Sequence, residues 1–292
     1  MEYIEHFLQK TKVPNQVIPI IIDNSPESQE RLLVKLNYKK TESYEIRGYQ
    51  TSIYLSEQRR IVYCYPADNL GYAKGNNLGT IISDELFNSQ YYIISNNDIK
   101  LIQPFDEKAF QSVFNEHPDV AVIGPRVLGL DGKPQSPHKK VSAFIRLIAY
   151  YWFCRWPFRW KPDYDYDGSS KYCYRVMGSF MIIKCDAFRE ASRFDPNTFM
   201  FAEEPILSER LLKIGYKTFF YNEWTVIHEH GASISKANSQ LASEQWAFDS
   251  CCYYYREYRK TSNFTIKVAE LNFHIYKRFL KMRLKLKGLW SS

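Results

Sequence analysis

The sequence predicts an α/β fold, a mostly parallel sheet flanked by helices, with a helical, basic C-terminal extension. Three observations predict it. Short β-branched and aromatic runs alternate with helical patterns through the first half of the chain, the signature of a sheet covered on both faces. Each apolar run stops abruptly at polar or turn residues. From about Gln240 onward the pattern is helical, aromatic and rich in Lys and Arg.

Taken in order, "QVIPIII" before Asp23-Asn24-Ser25-Pro26 reads as a strand, and "ESQERLLVKL" as the helix after it. "RIVYCYP" is a second strand, "GYAKGNNLGTIISDELF" contains a helix, and "YYIIS" and "VAVIGP" are further strands. Continuous apolar character over such short lengths fits strands buried on both faces. "LDGKPQ" (Leu130 to Gln135) is a tight Asp-Gly turn. The aromatic segment Phe144 to Trp160 interrupts the alternation as a helix or loop at the rim. "RVMGSFMIIKCDAF" then gives a strand and a helix starting at Asp186. "EEPILSERLLKIGYKTFFY" is a helix with Leu207, Leu211 and Ile214 on one face, capped by Gly215 and followed by a strand. "TVIHEHG" is one more short strand.

A chain of 292 residues, 24% charged and 45% hydrophobic, suits one main domain with an appendage. Its net charge of +7 is concentrated at one end. Ten Lys or Arg follow Tyr253 against only Glu257 and Glu270, so the body is close to neutral. Such a tail points to an anionic surface rather than to nucleic acid. Six cysteines without CxxC pairing favour a reducing, cytoplasmic setting, with Cys64 a buried thiol. The sequence shows no signal peptide and no uninterrupted membrane-spanning run; "VSAFIRLIAYYWFCRWPFRW" is cut by Arg146, Arg155 and Arg159.

Ligands of such a sheet bind at the carboxyl ends of its strands, where Asp23-Asn24 and Asn96-Asn97-Asp98 fall. From spacing alone, turn chemistry is the better account of Asp23-Asn24-Ser25. In "NLGYAKGNNLG" (Asn69 to Gly79), Gly71, Gly75 and Gly79 permit close backbone approach and Asn76 and Asn77 offer amides, either to a ligand or as helix caps. Asp98 is a turn residue or a hard oxygen ligand for Mg²⁺ or Mn²⁺. Glu203-Glu204 at a helix start complements the helix dipole or supplies a general base, each carboxylate raising the other's pKa. His228 and His230 end a strand as loop histidines or ligands.

The ordered series "DNS … NLGYAKGNNLG … SNNDI … GSFMI … FDPNTFMFAEEPILSERLLKIGY … VIHEHGAS" resembles family 2 glycosyltransferases of the GT-A fold, and within them the rhamnosyl- and galactofuranosyl-transferase-like branch of bacterial surface polysaccharide synthesis. The similarity runs roughly from Val17 to Ser233. It implies a GT-A domain over residues 1–235 and a helical basic extension over 236–292. "MEYIEHFLQK" resembles the family's first helix, so the family's first strand has no counterpart in these residues.

The resemblance implies that Asp23 contacts the nucleotide base or ribose and that Asn69, Gly71, Asn76 and Asn77 line the donor. Asn96, Asn97 and Asp98 stand at the family's DxD-type motif, with Asp98 and His228 holding Mg²⁺ or Mn²⁺. Glu204 is the implied base for the acceptor hydroxyl, beside Glu203, and Arg210 the implied diphosphate or supporting residue. The implied reaction is inverting, metal-dependent transfer from a UDP- or dTDP-linked sugar to a lipid-linked saccharide. The basic tail, with Phe273, Tyr276, Phe279, Leu280 and Trp290, is expected to seat the protein on the inner face of the cytoplasmic membrane; the other reading is a solvated helix packed on the domain or on a second subunit, as in a homodimer. The alternative is a catalytically degenerate nucleotide-sugar-binding partner of another transferase. A nucleotidyltransferase would need an N-terminal glycine-rich loop with Arg and Lys, absent here.

Overall fold

A computed structural model describes residues 2–12, 14, 16–24, 39–46, 48–56, 61–154, 163–229 and 237–286. The expected helix "ESQERLLVKL", Ser25, His230 and Trp290 lie outside the described residues. The elements run α1 (Glu2–Lys10), β1 (Ile20–Ile22), β2 (Lys39–Ile46), β3 (Tyr49–Ser56), β4 (Ile61–Pro66), α2 (Gly71–Leu86), β5 (Tyr91–Ser95) and β6 (Ile99–Leu101). They continue with α3 (Glu107–Glu116), β7 (Val120–Gly129), a π-helix (Phe144–Cys154), β8 (Lys171–Cys173), β9 (Phe180–Lys184) and α4 (Cys185–Glu190). Then come α5 (Glu203–Lys213), β10 (Lys217–His228), α6 (Ala237–Glu257) and α7 (Asn263–Leu286).

Among the described residues two sheets form, both flanked by helices. One has the order β1-β4-β3-β2; the other has β5-β9-β7-β10-β6, with β8 also on β10. The expected mixture of strands and helices is present, but only the β1–β4 and β7–β10 ladders are parallel among the described residues. The β2–β3 hairpin, turning at Gly48 with φ 86°, supplies antiparallel pairing that no apolar run announced. Its first strand, "KKTESYEI", is polar in sequence and ends the strand order of its sheet among the described residues.

The two expected strands "KTFFY" and "TVIH" form one strand, β10, with a register shift between Tyr221 and Thr225. The shift lets polar residues bulge out at the point where the apolar pattern lapses. Gly215, at φ 89°, closes α5 as its sequence position requires. Cys64 is fully buried and a free thiol.

The core lies on both faces of the larger sheet. Phe180, Phe188, Phe194 and Phe220 are fully buried, each contributing on the order of 1.5–3 kcal/mol by leaving water. Phe180 and Phe105 both contact the Trp224 ring, and Phe7 brings α1 onto this cluster. Against the smaller sheet, Leu78, Ile81 and Ile82 of α2 cover Val62, Cys64, Ile20 and Ile22.

The C-terminal helices are built into the body. Leu147 and Tyr151 of the π-helix, Phe248 of α6 and Phe273 of α7 share a cluster with Ala202 and Ile206. The Phe248 and Phe273 rings stack at 4.0 Å. This corrects one reading of the tail: Phe273 and Leu280 point inward and Tyr276 packs beside them, so they are not an outer face. The outer face of α7 instead exposes Phe264, Val268, Leu271, Ile275, Phe279 and Met282, a row three and four residues apart.

Candidate active site

Gly178-Ser179, the turn leading into β9, is where the separated motifs meet. Ser179 O accepts from the Asn96 amide at 2.9 Å, fastening the end of β5. Gly178 O accepts from the Tyr72 hydroxyl of α2 at 2.6 Å. The Gly178 amide donates to Oε1 of Glu204 at 2.9 Å. One turn thus touches the Asn96-Asn97-Asp98 segment, the Asn-Gly helix and the acidic pair. A Cβ at position 178 would lie 2.6 Å from Oε1 of Glu204, so glycine is what lets this carboxylate approach the chain.

Glu203 and Glu204 open α5, where the helix terminus favours negative charge. They follow Phe201 and Ala202, both left-handed without being glycine, at φ 73° and 66°. Such backbone costs of order 1–3 kcal/mol per residue and persists only where surrounding contacts impose it. Glu203 is 3% exposed, and its Oε1 has no hydrogen-bond partner among the described residues. Burial, with the neighbouring Glu204 charge, pushes its carboxyl up to about 8, so it is protonated at neutral pH. Glu204 keeps its carboxylate tied to the Gly178 amide.

This pairing has a measurable consequence. The unfolded chain releases the Glu203 proton near 4.5 and the folded chain near 8, so stability falls as pH rises through that window. Glu203→Gln is expected to raise Tm at pH 8 and to change it little at pH 4.5, read by thermal unfolding across pH.

Asp98 and His228, 130 positions apart in sequence, come together through the β6–β10 pairing, which sets His228 opposite Ile99. His228 Nε2 lies 3.3 Å from Oδ1 of Asp98. On the other side of the ring, Nδ1 stands 3.0 Å from Oε1 of Gln135. The imidazole is thus held between the Gln135 amide and the Asp98 carboxylate. A ligating histidine held through its other nitrogen is the usual arrangement around a bound metal. The donor set fits a divalent cation that takes its remaining ligands from substrate and water. No cluster of three His, Cys, Asp or Glu suited to a metal exists among the described residues.

The remaining expected residues divide in two. Asp23, at the end of β1, accepts from the Tyr63 hydroxyl, and Asn24 bridges to the Leu70 amide and Gly71 O. Asn69 caps the Gly71 amide at 2.9 Å, and Asn76 donates to Tyr72 O. Gly71, at φ 68°, sits where a Cβ would be 2.2 Å from Phe199 O. These residues line the end of β1 and the start of α2.

Asn77 and Arg210 are occupied elsewhere. Asn77 is buried and spends its amide on Phe194 N and O. Arg210 lies 3.1 Å from the buried Asp195, and donates to the Tyr258 hydroxyl and to Ser192 O. Asp195, 1% exposed, also accepts from the Tyr253 and Tyr258 hydroxyls and the Asn197 amide. Sequence reading missed this cluster and the Gly178-Ser179 turn. The tyrosine-rich "CCYYYREY" was the available signal for the first, and the glycine ahead of the apolar "SFMII" for the second.

No sequence-family profile matches the chain, and no curated protein matches its sequence. Among solved structures, it resembles the crystal structure of GalNAc-T7 with UDP, GalNAc and Mn²⁺, at TM-score 0.53 and 12% identity over 92% of this chain and 50% of that one. It also resembles S. aureus TarS, at TM-score 0.48 and 12% identity over 88% of this chain and 38% of that one. The chain thus spans half the length of the first and less of the second. The fold is the mixed α/β GT-A type, with C-terminal helices.

Proposed function

We propose that this chain is a glycosyltransferase that moves a sugar from a nucleoside diphosphate donor to a saccharide hydroxyl with inversion. The observation that carries the reading is the meeting of Asp98 with His228 at 3.3 Å, while Asn96 and Glu204 are tied to one turn. The GT-A fold shared with GalNAc-T7 supports it.

In this reading Asp23 and the Asn69–Asn76 segment receive the nucleoside, at the carboxyl end of β1. Asp98 and His228 would hold Mg²⁺ or Mn²⁺, which when bound supplies positive charge against the leaving diphosphate. Glu204, oriented by the Gly178 amide, accepts the proton of the acceptor hydroxyl as that oxygen attacks the anomeric carbon. The C1–O bond to the diphosphate breaks as the new glycosidic bond forms, and the configuration inverts in that single displacement. Burial raises the Glu203 carboxyl beside Glu204. Holding both substrates in one cleft supplies much of the rate. Rhamnosyl or galactofuranosyl donors and surface-polysaccharide acceptors are the substrate class that the motif order supports.

The test of the metal pair reads binding. Calorimetry of UDP with and without Mn²⁺ is expected to show at least tenfold tighter binding with the cation, a gain lost in Asp98→Asn and in His228→Ala. Equal UDP affinity with and without the cation in the parent protein would remove Asp98 and His228 from this role.

No described helix is long and apolar enough to cross a membrane. The outer row of α7 supports peripheral seating instead. Phe264, Leu271, Ile275 and Phe279 are exposed on one face. At 3.6 residues per turn, Lys267, Arg278, Lys281 and Lys285 fall along one border of that face. An interfacial helix has this distribution, and each basic residue near an anionic surface contributes roughly 1 kcal/mol. Sedimentation with phosphatidylserine vesicles is expected for the parent and at least tenfold weaker for Phe264→Ser/Leu271→Ser/Phe279→Ser. Concentration-dependent dimers without vesicle binding would instead assign the row to self-association.

A further inference from the structure

Two large aromatic residues stand exposed beside the start of α2. Phe199, 37% exposed, precedes the Glu203-Glu204 helix start; Trp246, 39% exposed, belongs to α6 of the C-terminal extension. Their ring centroids lie 5.1 Å apart with the planes inclined at 55°, so the rings form an open corner rather than a closed stack. The rest of α6 fixes that corner. Ser250 Oγ donates to Met200 O at 2.8 Å, and the Tyr253 hydroxyl accepts from the Asn197 side-chain amide at 3.2 Å. Residues 246, 250 and 253 share one helix face, so Trp246 is placed by the whole helix and not by its own ring alone. Phe199 is held from the other side. Its ring abuts Gly71, where a Cβ would lie 2.8 Å from it, and its carbonyl accepts from the Tyr72 amide at 2.9 Å. The Tyr72 hydroxyl in turn donates to Gly178 O at 2.6 Å. One tyrosine thus spans from Phe199 to the turn that holds Glu204, a length comparable to a pyranose ring with its hydroxyl.

We propose that Phe199 and Trp246 are the platform on which the terminal sugar ring of the acceptor stacks, an assignment that rests on the transferase reading above. An aromatic face takes the C–H face of a pyranose, and the indole N–H adds a donor for one of its hydroxyls. Position selects this occupant. A ring seated on the corner reaches Glu204 with its hydroxyl, while the nucleoside belongs to Asp23 and the Asn69–Asn76 segment. Size rules against a protein partner. The two residues leave on the order of 150 Å² uncovered, against about 800 Å² per side in a specific protein interface. The extension then has a role in the reaction: α6 lends one of the two rings, so it takes part in choosing the acceptor.

The experiment is saturation-transfer NMR of the full chain, with and without UDP and Mn²⁺, against the methyl pyranosides of glucose, galactose, N-acetylglucosamine, mannose and rhamnose. The expected result is saturation of the ring C–H protons of at least one glycoside, with UDP bound at the same time. That signal is expected to fall about threefold or more in Trp246→Leu and in Phe199→Leu, and to persist in Trp246→Phe. Leucine keeps apolar bulk and loses the aromatic face, and thermal unfolding of each variant separates a lost platform from a lost fold. Full saturation in both leucine variants overturns the proposal, as does no saturation of any glycoside by the parent. Displacement of the glycoside by UDP also overturns it, because the rings would then serve the donor. Glycoside binding that needs both rings, in a protein that does not bind UDP, would sink the transferase reading and leave a sugar site on these rings. None of these readouts depends on sugar transfer, so the two failures are separable.

Discussion

Glu204→Gln is expected to lower kcat for sugar transfer by about 10²- to 10⁴-fold, the usual loss when a positioned base is removed. The amide keeps the size of the side chain and an oxygen that can still accept from the Gly178 amide. UDP affinity and Tm are therefore expected to stay near those of the parent. Gly178→Ala gives the companion result by another route. Its Cβ would lie 2.6 Å from Oε1 of Glu204, forcing the carboxylate off its seat while leaving its chemistry unchanged. Steady-state kinetics with circular dichroism separate lost chemistry from lost fold. A Glu204→Gln protein with parental kcat would move the base elsewhere.

Asp195→Ala is expected to produce the largest loss of stability, about 3–5 kcal/mol, because it leaves the Arg210 guanidinium without its buried counter-charge. Two tyrosine hydroxyls and the Asn197 amide lose their acceptor as well. Burial alone would raise the Asp195 carboxyl, but Tyr258, the Asn197 amide, Tyr253 and Arg210 outweigh it and hold it below the usual range. A depressed acid stabilises the fold above its unfolded pKa, and that contribution is lost as pH falls through the folded one. The parent should therefore weaken in acid below about pH 4, and Asp195→Asn should weaken less steeply there. Urea unfolding at pH 7 and at pH 3.5 checks both statements. A cost under about 1 kcal/mol at pH 7 would mean that this cluster does not hold the C-terminal helices to the body.

Much of this molecule was legible from residue chemistry alone. The ends of β1 and β5, the Gly-Asn helix and the Glu-Glu helix start stand where turn residues interrupt apolar runs, since burial and turn chemistry both write themselves locally. The approach of His228 to Asp98 depends on β10 crossing the sheet beside β6, and only the ordered resemblance pointed to it. Use of Asn77 and Arg210 by the fold itself was not legible. An amide or guanidinium facing Phe194 or Asp195 has the same one-letter code as one facing a ligand. The tail shows the same limit: α7 carries apolar residues toward both the body and the outside, and periodicity does not say which row is covered.

The inward row of α7 has a practical consequence for handling the protein. Cutting the chain after residue 236 to gain solubility would uncover Ala202 and Ile206, which flank Glu203 and Glu204, and would remove both tyrosines that grip Asp195. A shortened form would therefore lose the packing behind the helix start that carries Glu203 and Glu204. Solubility is better engineered by repainting the outer row alone, which leaves that packing in place.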